Sequence, residues 1–171
     1  MRHSLAGFTL LEVLVAVLLL AAGLVGALAM QAQAMRTRQD SALLTTALQT
    51  AAAAAERIRA NAAQSSSYLG FECDTASPAP AAVPSCSSQP CDPQQLAQAD
   101  LQALRQAVRD GLPGGRARIC RDARSWSGGL PQWACSDDAD APLVIKIGWH
   151  AHGRDANVAL PLVLPASGSA P

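Results

Sequence analysis

Aromatic residues are scarce in this 171-residue chain, at 4% of the whole. Any core must therefore be built mainly from Ala, Leu, Val and Ile, within an apolar fraction of 50%. An excess of charge of either sign is missing too, because 13 basic residues offset 13 acidic ones. The basic residues are almost all Arg and are scattered, as on a solvated surface, so there is no electrostatic case for nucleic-acid binding. No Ser/His/Asp or Cys/His arrangement carries a signature of catalysis, which leaves an enzyme the least supported class. The cysteines lack the paired CxxC spacing of a zinc site. His150 and His152 could share a strand face, but they have no third ligand. No metal and no cofactor is expected. Charge is absent from Val13 to Met30, as is Pro, and from Gln31 to Ala63 there is neither Pro nor Gly.

What is present begins at the N-terminus. A short basic head, Met1-Arg2-His3-Ser4, leads to Gly7-Phe8-Thr9-Leu10-Leu11-Glu12-Val13 and then to the uncharged run. In a secretory signal the peptidase site follows the apolar stretch. Here the small residue that suits a peptidase, Gly7, precedes it, and a cut there leaves the apolar segment as the first helix of the mature chain. That helix then carries Glu12 five residues in, where a carboxylate costs roughly 2.5–3.5 kcal/mol at mid-membrane and less near the interface. A secretory signal cut near Ala27-Leu28-Ala29 or Ala32-Gln33-Ala34 is the alternative, and a Glu inside the apolar region works against it. Leader, Gly7, Phe8, Glu12 and apolar run in this order resemble a type IV prepilin. The resemblance implies cleavage between Gly7 and Phe8 by a prepilin peptidase, N-methylation of Phe8, and a role for Glu12 in assembly, facing the freed amine of a neighbouring subunit.

At about 1.5 Å per residue, Val13 to Met30 spans close to the ~30 Å hydrocarbon core. A short head before the first span favours a cytoplasmic N-terminus, with the cysteine-bearing remainder outside. Gly23 and Ala27 form a small-xxx-small pair that permits close helix approach. The helix is expected to continue to Asn61, with Leu44, Leu48, Ala51, Ala55, Ile58 and Ala62 as its apolar face. The run Ala51 to Ala55 reads as helix propensity or as a flat surface for close packing. A Pro/Ser/Ala-rich loop follows, from Ser65 to Pro90. Asp92 as N-cap, Pro93 in the first turn and Gln95 at N3 open a second helix, whose buried face is Leu96, Leu101, Leu104 and Val108. It ends at Asp110-Gly111 and Leu112-Pro113-Gly114-Gly115. Strands are expected at Arg116–Cys120, Leu143–Trp149 and Asn157–Leu164, joined as an antiparallel meander, with a turn around His152-Gly153-Arg154-Asp155 and a frayed tail from Pro165. Trp149 belongs in the core, whereas Trp126 and Trp133 on a loop are candidates for a contact surface.

Cys73, Cys86, Cys91, Cys120 and Cys135 all follow the apolar run, where disulfides can persist if that part lies outside the cytoplasm. Five is odd, so two bridges leave one thiol over. Cys120 and Cys135 flank the first inter-strand loop, and a bridge between them is worth about 3 kcal/mol in the chain-entropy model. Cys91 with either Cys73 or Cys86 would pin the Pro/Ser loop to the second helix.

The fold class expected is α+β and pilin-like: a long N-terminal helix, its first half transmembrane, packed on a small antiparallel sheet. Its parts are a leader (1–7), an apolar assembly half of the helix (8–30), an outer half (31–63) and a globular head (64–171). Ala55-Glu56-Arg57-Ile58-Arg59-Ala60-Asn61, Asp92-Pro93, Asp100-Leu101, Leu112-Pro113-Gly114-Gly115 and Trp149 resemble the PilV-type minor pilins. The missing Pro in the apolar helix departs from the pattern of major pilins. Partners implied by the resemblance are other major and minor pilins, the prepilin peptidase, and the inner membrane with its assembly platform. A bacterial inner-membrane location before incorporation into the fibre follows. A minor pseudopilin of type II secretion shares the same N-terminal chemistry, and a secreted binding domain is the more distant alternative.

Overall fold

The computed structural model describes residues 9–78, 86, 90–150 and 162–166. Gly7, Phe8, the His152–Asp155 turn and the start of the expected third strand lie outside the described residues. Contacts divide the chain into two compact units, Met1–Gln39 and Asp40–Pro171. Helix α1, Leu10–Ala60, contributes to both.

Within the first unit, every described residue of α1 is exposed. Leu10 is 80% exposed, Leu18 68% and Met30 73%. A helix apolar on all sides satisfies its own backbone and leaves its side chains for lipid or for other helices.

In the second unit the later part of α1 buries Ala47, Ala51, Ala54, Ala55 and Ile58. Ala51, Ala55 and Ile58 belong to the expected face, but its other members do not face the core. Leu44 and Leu48 remain 44% and 43% exposed, and Ala62 is exposed in a following 3-10 helix, Ala62–Tyr68. Small side chains such as Ala47 and Ala54 fit the core at these positions, while Leu44 and Leu48 lie outside it. The stretch expected to be an open loop also contains a strand, β1, Phe71–Asp74. Its alternation is only four residues long, too short to stand out from the surrounding Ser and Pro.

Helix α2, Pro93–Gly111, starts as the sequence indicates. The Gln95 amide donates to Asp92 Oδ1 at 2.8 Å, and the Asp92 amide donates back to Gln95 Oε1 at 3.1 Å, a full capping box with Pro93 in the first turn. Leu104, Val108 and Ala97 are buried, while Leu96 is 40% exposed. Gly114 turns the chain at φ +56, and a Cβ there would meet the His150 ring at 2.5 Å.

Strands β2 (Arg116–Arg121), β5 (Leu143–Gly148) and β6 (Leu162–Pro165) join β1 in an antiparallel sheet of order β1-β2-β5-β6. The hairpin β3 (Trp126–Ser127) and β4 (Leu130–Pro131) stands apart from it, inside what the sequence reads as a loop. Register places Phe71, Ile119, Ile145 and Leu164 in one row across the sheet, and Cys73, Ala117, Ile147 and Leu162 in the next. These rows face the helices and form the core with Tyr68, Leu143 and Trp149. The architecture is therefore α+β and pilin-like, with a long N-terminal helix against a small antiparallel sheet. On the opposite face, Glu72, Arg118, Lys146 and Val163 share a row. All six residues of β5 are buried, so this second face is covered at β5, while Glu72 on β1 stays exposed. The cover is the segment between β2 and β5.

Candidate assembly site

Thr9 caps the described start of α1. Its carbonyl accepts from the Glu12 amide at 3.0 Å and the Val13 amide at 3.3 Å, and its hydroxyl oxygen accepts from the Glu12 amide at 3.3 Å. Glu12 thus sits in the first turn, where the helix dipole favours a carboxylate by about 0.3–1 kcal/mol. Glu12 is exposed, and no basic side chain pairs with it among the described residues. The helix that follows is long and apolar enough to cross a membrane, with no part of its most hydropathic window buried. This arrangement presents an exposed acid at the head of an apolar rod, where a cation could pair with it.

At the other end of α1 a polar cluster fixes the head. Arg57 pairs with Asp100 at 3.3 Å, and the Tyr68 hydroxyl donates to Asp100 Oδ2 at 2.8 Å. The Asn61 side-chain amide donates to Tyr68 at 3.2 Å and to the Pro93 carbonyl at 2.8 Å. Burial pushes the Tyr68 phenol up to about 12, with the neighbouring Asp100 carboxylate acting in the same sense. The helix end, the 3-10 helix and α2 are joined by these four residues. Arg57 and Asn61 stand in one motif of the sequence, Asp100 in another and Tyr68 in none, and most of the pairings that join them span more than thirty residues.

Disulfides join Cys120 to Cys135 and Cys86 to Cys91, and Cys73 is a free, buried cysteine. Of the two partners open to Cys91, the structure therefore gives it Cys86. Burial pushes the Cys73 thiol up, away from the reactive thiolate. Trp149 is buried at 3% exposure, Trp126 is 60% exposed, and Trp133 is half-buried beneath the Arg116 guanidinium at 4.1 Å. No cluster of His, Cys, Asp or Glu suited to a metal occurs among the described residues.

Sequence reasoning missed the centre of the second sheet face. Lys146, the only lysine in the chain, is fully buried. Its ammonium donates to Asp122 Oδ2 at 2.5 Å, the Gln132 carbonyl at 2.9 Å and the Ala134 carbonyl at 2.7 Å. Asp122 also accepts from the Arg124 amide, the Ser136 amide and the Ser125 hydroxyl. Burial alone would raise this carboxyl, but its bonds to Lys146, Arg124 and Ser125 outweigh that and hold it down at about 2. The available signal was a lone Lys in an otherwise apolar strand, and alternation assigns it to the solvent side.

Residues 2–28 match the family model described as the prokaryotic N-terminal methylation motif. That match supports a prepilin-like chain of the type IV pilin and pseudopilin kind. No curated protein and no solved structure matches the chain.

Proposed function

We propose that this chain is a minor type IV pilin, a structural and non-enzymatic subunit that helps to initiate, assemble or modify the fibre and so serves twitching, adhesion or DNA uptake. In this reading residues 1–7 are a leader removed by the prepilin peptidase, and Phe8 becomes the methylated N-terminus. Residues 8–30 hold the subunit in the inner membrane with its N-terminus in the cytoplasm, residues 31–63 continue the helix outward, and residues 64–171 form the head. The assembly platform and other pilins are its partners through the N-terminal helix. The carrying observation is the methylation motif over residues 2–28, overlapping an exposed helix with no charge between Val13 and Met30.

Glu12 is the residue assigned to assembly. A charge left unpaired among packed apolar helices is strongly unfavourable, and removing one partner of a buried pair costs roughly 3–5 kcal/mol. The amine freed before Phe8 on a neighbouring subunit supplies the missing cation. Mass measurement of the mature chain tests the processing directly: a first residue of N-methylated Phe8 is expected, and a mature start beyond Ala27 would instead indicate a secreted domain.

The same motif match fits a minor pseudopilin of type II secretion. Deletion of the gene separates the two readings, through loss of pili in one case and loss of exoprotein secretion in the other.

A further inference from the structure

Lys146 lies on the sheet face turned away from the helices, yet it is fully buried. All three of its acceptors, the Asp122 carboxylate and the Gln132 and Ala134 carbonyls, come from one stretch, the cover from Asp122 to Pro142. The two ends of that stretch meet, because the Asp122 amide donates to the Pro142 carbonyl at 3.1 Å.

The cover has no core of its own. From Ala123 to Asp140 no residue is buried, and its large apolar side chains Trp126 and Leu130 are exposed. Trp133 is only half-buried beneath Arg116. Apolar burial scales with the area removed from water, so it does little to hold this stretch down. The remaining ties are polar, apart from one. The Ser136 amide donates to Asp122 Oδ1, the Ala123 amide to the Ser136 hydroxyl and the Asp137 amide to the Arg121 carbonyl. Each such bond exchanges for one to water when it breaks, so its net worth is small. If the cover lifts, Lys146 and Asp122 reach water together, and neither is left as an unpaired buried charge. The exception is covalent: Cys135 of the cover is bonded to Cys120 of β2. Both cysteines line a cavity of about 340 Å³, room enough for a small dithiol.

We propose that this cover is a redox-gated flap. With Cys120 and Cys135 bonded it is closed over Lys146; when an external dithiol reduces that bond, the flap opens and presents the lysine amine to solvent. A thiolate of the dithiol attacks Cys135 Sγ, and the S–S bond breaks with its electron pair on Cys120 Sγ. The second thiol then resolves the mixed disulfide. The bridge gains two electrons and two protons, and the dithiol becomes a disulfide. The inference concerns the head alone and does not rest on the fibre-subunit reading.

The test incubates the folded full-length chain in detergent with or without dithiothreitol, caps free thiols with iodoacetamide, and then acetylates amines with an N-hydroxysuccinimide ester. Lys146 is the only lysine, so its acetylation blocks one tryptic cut and fuses peptides 125–146 and 147–154. Cys73, free and buried in the helix-facing core, reports unfolding of the whole head. Releasing a cross-link across a sequence separation of 15 enlarges the open population by up to about a hundredfold. Reduction is therefore expected to speed Lys146 acetylation by about tenfold or more while Cys73 stays unalkylated. Cys120→Ala/Cys135→Ala should react in the same way without dithiothreitol, which assigns the effect to this bridge and not to Cys86–Cys91. A smaller rise, a Lys146 already reactive in the bonded chain, a variant that stays protected, or Cys73 alkylated along with Lys146 would overturn the proposal.

Discussion

The Lys146 ammonium lies 2.5 Å from the Asp122 carboxylate, and 0% and 1% of the two side chains are exposed. Between them they accept or donate every bond that the site requires, so the covering segment and the sheet behave as one piece. Lys146→Met leaves Asp122 buried without its counter-ion and is expected to destabilise the head by about 3–5 kcal/mol. Asp122→Leu combined with Lys146→Met should recover part of that loss. Chemical unfolding of the single and double variants measures both.

The pH dependence of stability has two limbs. Asp122 is depressed from 3.8 to about 2 in the fold, so its contribution of about 2 kcal/mol is complete above pH 4 and is lost as pH falls towards 2. Tyr68 is raised from 10.0 to about 12, so its neutral phenol contributes fully below pH 10, and that contribution is lost as pH rises through 12. Unfolding midpoints measured across acid and alkaline series should fall at both ends, and Asp122→Asn and Tyr68→Phe should each flatten one limb.

The two disulfides close loops of different length, with sequence separations of 15 and 5. In the chain-entropy model they stabilise by about 3 and about 2 kcal/mol respectively. Cys120→Ala/Cys135→Ala is therefore expected to cost more than Cys86→Ala/Cys91→Ala in thermal unfolding. Cys73 should resist alkylation in the folded protein and react once it is unfolded, read by mass.

For the N-terminus, Gly7→Val is expected to accumulate uncut precursor, since a larger side chain obstructs the close approach of a peptidase to the backbone. Glu12→Ala should be processed normally yet fail to enter a fibre. Gel mobility reads the first outcome, and immunoblotting of sheared fibres reads the second; normal incorporation of Glu12→Ala would remove the assembly role from that residue.

Local rules made the second helix readable almost to the residue, because Asp92, Pro93 and Gln95 act on one another within a single turn. Strands β2 and β5 were readable for a like reason, β2 through weak short-range alternation and β5 through a short apolar, β-branched run. The Cys120–Cys135 pair followed from its position at the two ends of one loop. On α1 the expected face held at Ala51, Ala55 and Ile58 but not at Leu44 and Leu48, because hydrophobicity ranks Leu above Ala while the core took in Ala47 and Ala54 instead. The hairpin of Trp126 and Leu130 was hidden, since two-residue strands carry no periodic signal.

The apolar run, the displaced Gly7 and the acid at Glu12 are determined by sequence alone, because membrane length and charge cost depend only on consecutive residues. Which residues form the interior of the head was decided by tertiary structure. Asp122 and Lys146 lie 24 positions apart, and only the pairing of β2 with β5 and the fold of the segment between them brings the acid to the amine. A lysine in a strand is solvated until another part of the chain covers it, and that cover is a long-range event that no local pattern records.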